Sequence, residues 1–288
     1  REKRMPLVKV NELLHHATEN GYGVAAVNVF NYETIKWVAE AANRERIPVI
    51  IQFYPGFDKY IALKHVAAIA KDFAEKSSVP IGVHLDHSAG YEIAVSGVRD
   101  GFPSVMVDGS ALPYEENMAL TAAVVKTAAV FGVDVEAELG HVGSGANLDD
   151  IVNSDHYTDV KQAVEFVKCT GCGSLAVAVG NAHGAYVQTP NLDFDRIASL
   201  RSALPIPLVL HGCSDIPPEQ LQESVRLGMS KFNIATEYFR ACYHGVVQHG
   251  DPAEKNGDMF RLMMETSENA IDFVRGKMRL LNPNKFTF

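Results

Sequence analysis

The chain alternates eight times between a short β-branched run and a stretch of helical length, and few folds accommodate that rhythm. Strands are expected over 24–29, 49–53, 81–85, 104–107, 133–139, 174–179, 207–210 and 231–234. Each is followed by an amphipathic segment, at 32–43, 61–75, 90–99, 114–131, 158–168, 194–202, 218–227 and 237–249, with a further helix over about 259–281. Strand-then-helix units build parallel sheets, because the returning helix covers the face of the sheet it has left. Eight such units within 288 residues have the count and size of a single-domain (β/α)8 TIM barrel with extra C-terminal helices, one domain over 1–288. A doubly wound open sheet is the alternative, but it rarely runs through eight units unbroken, and no Pro/Ser-rich linker divides this sequence. The longest stretch without periodicity, 140–156, is rich in Gly, Asn and Asp and is expected to be a lid or disordered.

In such a barrel the chemistry sits at the C-terminal ends of the strands, and these strand ends are polar. In chain order they offer Asn28, Gln52, His84 with Asp86 and His87, Asp108, Glu136 with Glu138, Asn181 with His183, His211, and Asn233. Polar groups buried at one rim need partners, so this placement is costly as plain structure. A lone histidine would read as a hydrogen-bonded strand cap. Three of them, His87, His183 and His211, come from three strands at the same end, and three imidazoles with an open position make a catalytic zinc site. Asp86 directly precedes the first, and because strand neighbours point to opposite sides, both can face the site only where the strand ends. Small residues and hydroxyls after the last two strands, Gly212, Ser214 and Thr236, stand where barrels of this type hold phosphate.

The formal net charge of −9, with no Lys/Arg cluster, argues against nucleic acid as a partner. No apolar run approaches the roughly 18 to 20 residues needed to span a bilayer, so no membrane partner is expected. The opening Arg1-Glu2-Lys3-Arg4-Met5 lacks the apolar core of a signal peptide, Met5 is a candidate native start, and a cytoplasmic location is expected. Cys169, Cys172, Cys213 and Cys242 are too few for a disulfide framework and are read as thiols; the Cys169/Cys172 pair has CxxC spacing but no second pair to complete a zinc site.

Seven ordered blocks resemble the class II fructose-bisphosphate and tagatose-bisphosphate aldolases over nearly the whole length. They are Val27-Asn-Val-Phe-Asn31, Val83-His-Leu-Asp-His87, Gly101-Phe-Pro-Ser-Val-Met-Val-Asp-Gly-Ser110, Glu136-Ala-Glu-Leu-Gly140, Gly180-Asn-Ala-His-Gly184, Pro207-Leu-Val-Leu-His-Gly212 and Lys231-Phe-Asn-Ile-Ala-Thr-Glu237. The resemblance implies a zinc-dependent lyase of carbohydrate metabolism and glycolysis, with His87, His183 and His211 as metal ligands and Asp86 as the acid/base on the hydroxyl of the cleaved bond. It implies a second or inward-swung metal position near Asp108 and Glu138. It places a sugar phosphate, with the phosphate of dihydroxyacetone phosphate and a monovalent cation (Na+ or K+), at Asn28, Gly184, Gly212, Cys213, Ser214, Asn233, Ile234, Ala235 and Thr236. Zinc would polarise the ketone while Asp86 takes the C4 hydroxyl proton, with no lysine Schiff base. A homodimer or homotetramer is also implied.

Several positions depart from the family pattern, and they cluster around the substrate. The mobile loop reads Gly143-Ser-Gly-Ala-Asn-Leu-Asp-Asp150 and lacks the family's proton-transferring glutamate, leaving Asp149, Asp150 or His141 as substitutes. Tyr54-Pro55-Gly56 stands where relatives often bring a serine, Asp215 places a carboxylate beside the phosphate turn, and Phe260 replaces a far-phosphate arginine, with Arg261 one position off. The expectation is retained metal chemistry on a substrate other than fructose 1,6-bisphosphate. The rival readings are a metal-dependent sugar-phosphate epimerase or isomerase, and an inactive barrel that binds a sugar phosphate.

Overall fold

The computed structural model describes residues 7–251 and 257–288; Met5 lies outside them. A helix precedes the first strand: α1 (Val10–Asn20) leads into β1 (Val24–Asn28). The chain continues through α2 (Tyr32–Glu45), β2 (Val49–Phe53), α3 (Leu63–Lys76), β3 (Ile81–Ser88), α4 (Tyr91–Asp100), β4 (Ser104–Val107), α5 (Tyr114–Val130) and β5 (Asp134–Leu139). It then forms α6 (Leu148–Val152), α7 (Val160–Thr170), β6 (Ser174–Val177), α8 (Phe194–Ala203), β7 (Leu208–Leu210), α9 (Pro218–Arg226), β8 (Met229–Ile234), α10 (Thr236–His249) and α11 (Met259–Leu280). The strands pair in parallel in sequence order, and β1 pairs with β8 to close the barrel.

Alternation along each strand sorts side chains to two destinations. Outward residues such as Val27, Ile51, Val83, Phe232 and Ile234 join the large apolar cluster between the barrel and its helices. Inward residues near the strand starts, Val24, Ala26 and Ile50, pack with Val10, Leu13, Leu14 and Ala17, so α1 plugs the lower mouth. Gly21, at φ 66°, ends α1 in the left-handed conformation and returns its N–H to the Ala17 and Thr18 carbonyls. Above this plug the lumen is polar rather than aliphatic: His84, Ser104, Glu136 and Lys231 are all buried there.

Two strands depart from regular register. In β3, Leu85 pairs with Val105 and Ser88 with Val107, so β3 carries one extra residue. In β8, Met229 pairs with Leu208 and Lys231 with Val209, which leaves Ser230 as the extra residue.

The 140–156 segment, expected to be a lid or disordered, has regular local structure among the described residues, and its Val142 lines the cavity. Asn147 caps α6 through the Asp149 N–H, and a 3-10 turn follows at Ser154–His156. The segment is tied to the β6–α8 connection by an isolated Ser144–His183 bridge, in which His183 N–H donates to Gly143 O at 2.8 Å and Gly145 N–H to His183 O at 2.7 Å.

Candidate active site and metal centre

The cavity at the C-terminal end of the barrel has a volume of about 450 Å³, and His87 and His183 line it above the buried His211. Three ring nitrogens converge there. His87 Nε2 lies 3.1 Å from His183 Nε2, His183 Nε2 lies 3.4 Å from His211 Nδ1, and His211 Nδ1 lies 2.9 Å from His87 Nε2. A tetrahedral zinc with Zn–N bonds of about 2.0–2.1 Å sets its nitrogen ligands roughly 3.3–3.4 Å apart. The three nitrogens therefore stand close to the spacing of one shared cation.

The outer nitrogen of each ring is also fixed. His87 Nδ1 meets Asp108 Oδ2 at 2.8 Å, His183 Nδ1 meets Val142 O at 3.1 Å, and His211 Nε2 meets Glu136 Oε1 at 3.0 Å. Each partner is an acceptor, so each ring places its proton outward and its lone pair on the common centre, as metal-bound histidines do. Three lone pairs facing one another cannot be satisfied by a single proton, whereas one divalent cation satisfies all three.

The surrounding charge fits a cation too. Glu138 Oε2 is buried without a hydrogen-bond partner and lies 3.4 Å from His211 Nδ1. Burial, reinforced by the Asp108 charge, pushes the Glu138 carboxyl up to about 8, and a nearby cation would reverse that effect. His87, Asp108 and Glu138 themselves form a second group with ligand atoms close enough to share an ion. Burial disfavours charge on His87, but Asp86 and Asp108 outweigh it and raise the ring to about 9, so a bound cation would displace the proton on its Nε2; burial and the His87 charge lower His183 to about 4.

The extra residue in β3 explains how neighbouring Asp86 and His87 share the site. His87 adopts a positive φ of 31°, and the bulge turns both side chains to the cavity inside the strand. The pair lies in the last three residues of β3, at the strand end where the sequence expected both to face the site, and the bulge is the means. A non-glycine residue at positive φ carries strain, which concentrates at functional sites.

Asp86 is held by three amides. Asn28 Nδ2 donates to Oδ2 at 2.9 Å, Gln52 Nε2 to the same oxygen at 3.4 Å, and Asn233 Nδ2 to Oδ1 at 3.3 Å. Burial would raise its pKa, but His87, His211, Lys231 and the Asn28 hydrogen bond together hold it below the usual carboxylate value. Asp86 is therefore an oriented anion at neutral pH. Asn233 Oδ1 is a buried acceptor without a partner, and Asn233 lines the cavity.

Gly184, Gly212, Ser214, Asn233, Ala235 and Thr236 line the cavity where the last loops meet α10. Gly212 has φ 62°, and a Cβ there would stand 1.9 Å from Ala182 O, so the approach of the two His-Gly turns requires glycine. Tyr186 ties those turns together, accepting from Ala182 N–H at 2.7 Å and donating to Gly212 O at 2.9 Å. The residue before α10, Ala235, supplies no side-chain cap; Ser214 Oγ accepts from Glu237 N–H at 3.3 Å. The other first-turn N–H groups, with the helix dipole, suit an anion.

Cys213 and Ile234, grouped with the phosphate contacts by the sequence, do not line the cavity. Both are in the outer apolar cluster, and Cys213 N–H already donates to Asn233 O at 3.1 Å. Asp215 turns away to a two-point pair with Arg240, each bond 3.0 Å, and so does not oppose a phosphate. Asp150 accepts from Ser144 N–H at 2.7 Å, with His141 3.6 Å away, and Asp149 lies near His156; none of Asp149, Asp150 and His141 lines the cavity. Phe260 is exposed and Arg261 pairs with Glu265 at 2.8 Å, both away from the cavity. The four cysteines are free thiols.

The supporting set Val142, Tyr186 and Lys231, with Phe57 and Ala89 on the cavity wall, was left unassigned by the sequence, whereas Tyr54, noted at a position near the substrate, does line the cavity. Glu136 carried a signal, standing two residues before Glu138 and so facing the same lumen.

The family model described as fructose-bisphosphate aldolase class-II matches residues 8–285. Among solved structures, the chain is similar to the YdjI aldolase from Escherichia coli K12, at 35% identity and a TM-score of 0.86, covering 96% of this chain and 97% of that one. It is similar to a putative fructose-1,6-biphosphate aldolase from Coccidioides immitis, at 29% identity and a TM-score of 0.83, covering 95% and 96%. The fold also matches a fructose-bisphosphate aldolase (Fba) from Campylobacter jejuni, at 24% identity and a TM-score of 0.78, over 96% and 95%.

Proposed function

The chain belongs to the class II fructose-bisphosphate aldolase family and is an aldolase-type lyase, and on that footing we propose that it is zinc-dependent and releases dihydroxyacetone phosphate from a ketose phosphate. The observation that carries the zinc reading is the convergence of three imidazole nitrogens within 3.4 Å, each with its other nitrogen on an acceptor. A zinc ion held by His87, His183 and His211 supplies Lewis-acid stabilisation of the negative charge that develops when the bond breaks. Asp108 and Glu138, with His87, would offer a second ligand position.

The protein's own groups do the rest. Asp86, anionic and fixed by Asn28, Gln52 and Asn233, takes the proton of the C4 hydroxyl as the C3–C4 bond breaks. The electron pair of that bond passes to C3, giving the enediolate and an aldehyde; one proton added at C3, balancing the one taken by Asp86, completes dihydroxyacetone phosphate. Gly184, Gly212, Ser214 and the start of α10 hold the phosphate, with a monovalent cation (Na+ or K+) assisting.

No Lys or Arg lines the cavity among the described residues, and Tyr54, Phe57 and Ala89 form part of its wall. A second phosphate would find no cation on these walls; Arg99 lines the adjoining cavity that shares Tyr54, His87 and Ala89, but it is paired with Asp100. We therefore read the substrate as a ketose phosphate other than fructose 1,6-bisphosphate. No helix among the described residues is long and apolar enough to cross a membrane. We read 1–288 as a single domain acting in cytoplasmic carbohydrate metabolism as a homodimer or homotetramer; exposed Tyr243, Val247 and Met264 on α10 and α11 support self-association. The test is metal analysis of protein purified without chelator: about one zinc per chain is expected, and full activity after exhaustive chelation would refute the zinc dependence.

A further inference from the structure

We propose that Lys231 and Glu136 are a positioning pair that locks His211 in the one ring tautomer able to offer Nδ1 to the metal, an inference that rests on the zinc reading above. His211 is the exception among the three ligands. His87 and His183 turn Nε2 to the centre, whereas His211 turns Nδ1. A neutral ring with its lone pair on Nδ1 must carry its proton on Nε2, so an acceptor has to stand there.

Glu136 Oε1 is that acceptor, 3.0 Å from His211 Nε2, and Glu136 Oε2 lies 2.8 Å from Lys231 Nζ. His211, Glu136 and Lys231 are at most 1% exposed. An ammonium group can only donate, so Lys231 obliges Glu136 to accept, and the direction of every bond in the row is set from that end. Without Lys231, Glu136 Oε2 loses its donor, and nothing from that side holds Oε1 against Nε2 to fix the ring's orientation. Among the described residues, His84 does not compete for Glu136 Oε2: its Nε2 is 3.7 Å away, beyond hydrogen-bond reach, and its Nδ1 is occupied by Ser104 Oγ at 2.7 Å.

The barrel departs from regular register to place this lysine. With Ser230 as the extra residue of β8, Met229 and Phe232 both lie in the outer cluster, and Lys231 points into the lumen. A buried ion pair is weak evidence of stabilisation, since well-packed apolar residues often replace one without loss, so folding alone does not account for it.

The test compares zinc affinity, by chelator competition, and the visible spectrum of the cobalt-substituted protein in wild type and Lys231→Met. The variant is expected to be folded by circular dichroism, to bind zinc about 10- to 100-fold more weakly, as loss of groups behind metal ligands commonly does, and to show altered cobalt bands. A folded variant with native zinc affinity and native cobalt bands overturns the proposal. Should Lys231→Met fail to fold, Lys231→Met/Glu136→Gln removes both buried charges together; the same weakening is expected, and native affinity there overturns the proposal equally. Wild-type protein that binds neither metal would instead overturn the zinc reading and this inference with it.

Discussion

At the scale of single residues, the site is a set of polar groups each pinned by a neighbour from another strand or loop. The Asp86 carboxylate is held by amides from β1, β2 and β8, and is anionic because neighbouring positive charge and Asn28 outweigh burial. Asp86→Ala is therefore expected to lower kcat by about 10²–10⁴-fold, the usual share of a general base, while the zinc content stays at wild-type level. Loss of zinc together with activity would show that Asp86 acts as a ligand instead. His183→Ala is expected to lower bound zinc sharply, measured by metal analysis on folded protein, and zinc retained at wild-type level would remove His183 from the ligand set. His87, His183, His211 and Asp86 stood out in the sequence because charged and imidazole groups at successive strand ends have few structural explanations. The groups that orient them did not stand out. Val142 acts through its carbonyl, which any residue carries, and Lys231, though it opens an expected strand, is turned into the lumen by an extra residue in β8 that no local pattern shows.

At the scale of elements, periodicity found all eight strands, since each buried run is bounded by turns, but it could not find the β3 bulge. That bulge shows only in pairing: one additional residue and the positive φ of His87 bring adjacent side chains to one cavity. Helix α1 was likewise missed, because it precedes the first strand and has no place in a count of strand-then-helix units. The ordering of 140–156 depends on contacts with the β6–α8 connection that no local pattern encodes. Helix α11 is fastened to α2 at Glu45, which meets Arg275 at 2.5 Å and Arg279 at 2.7 Å. Burial raises the Glu45 pKa, but these two arginines together outweigh it and leave the carboxyl below its usual value. A carboxylate with a depressed folded-state pKa stabilises above its unfolded-state pKa of about 4.3, and that contribution fades as pH falls through the folded-state value. Glu45→Gln is thus expected to lower Tm at pH 7, with the gap to wild type narrowing below about pH 4; a gap independent of pH would contradict this account.

At the scale of the whole molecule, barrel closure brings residues distant in sequence to one mouth. His87 and His211 are 124 positions apart, yet their ring nitrogens lie 2.9 Å from each other. The same closure leaves a cavity whose anion-holding groups are neutral and which, among the described residues, no Lys or Arg lines. Fructose 1,6-bisphosphate should accordingly be a poor substrate, and turnover of it at about 1 to 10³ per second, the ordinary enzyme range, would contradict that reading. The most direct measurement is a coupled assay for dihydroxyacetone phosphate release over a panel of ketose phosphates, run with zinc-loaded, chelated and zinc-restored protein. The account predicts release from at least one ketose phosphate, its loss on chelation and its return with zinc. Undiminished release from fully chelated protein, or no release from any member by zinc-loaded protein, would contradict it.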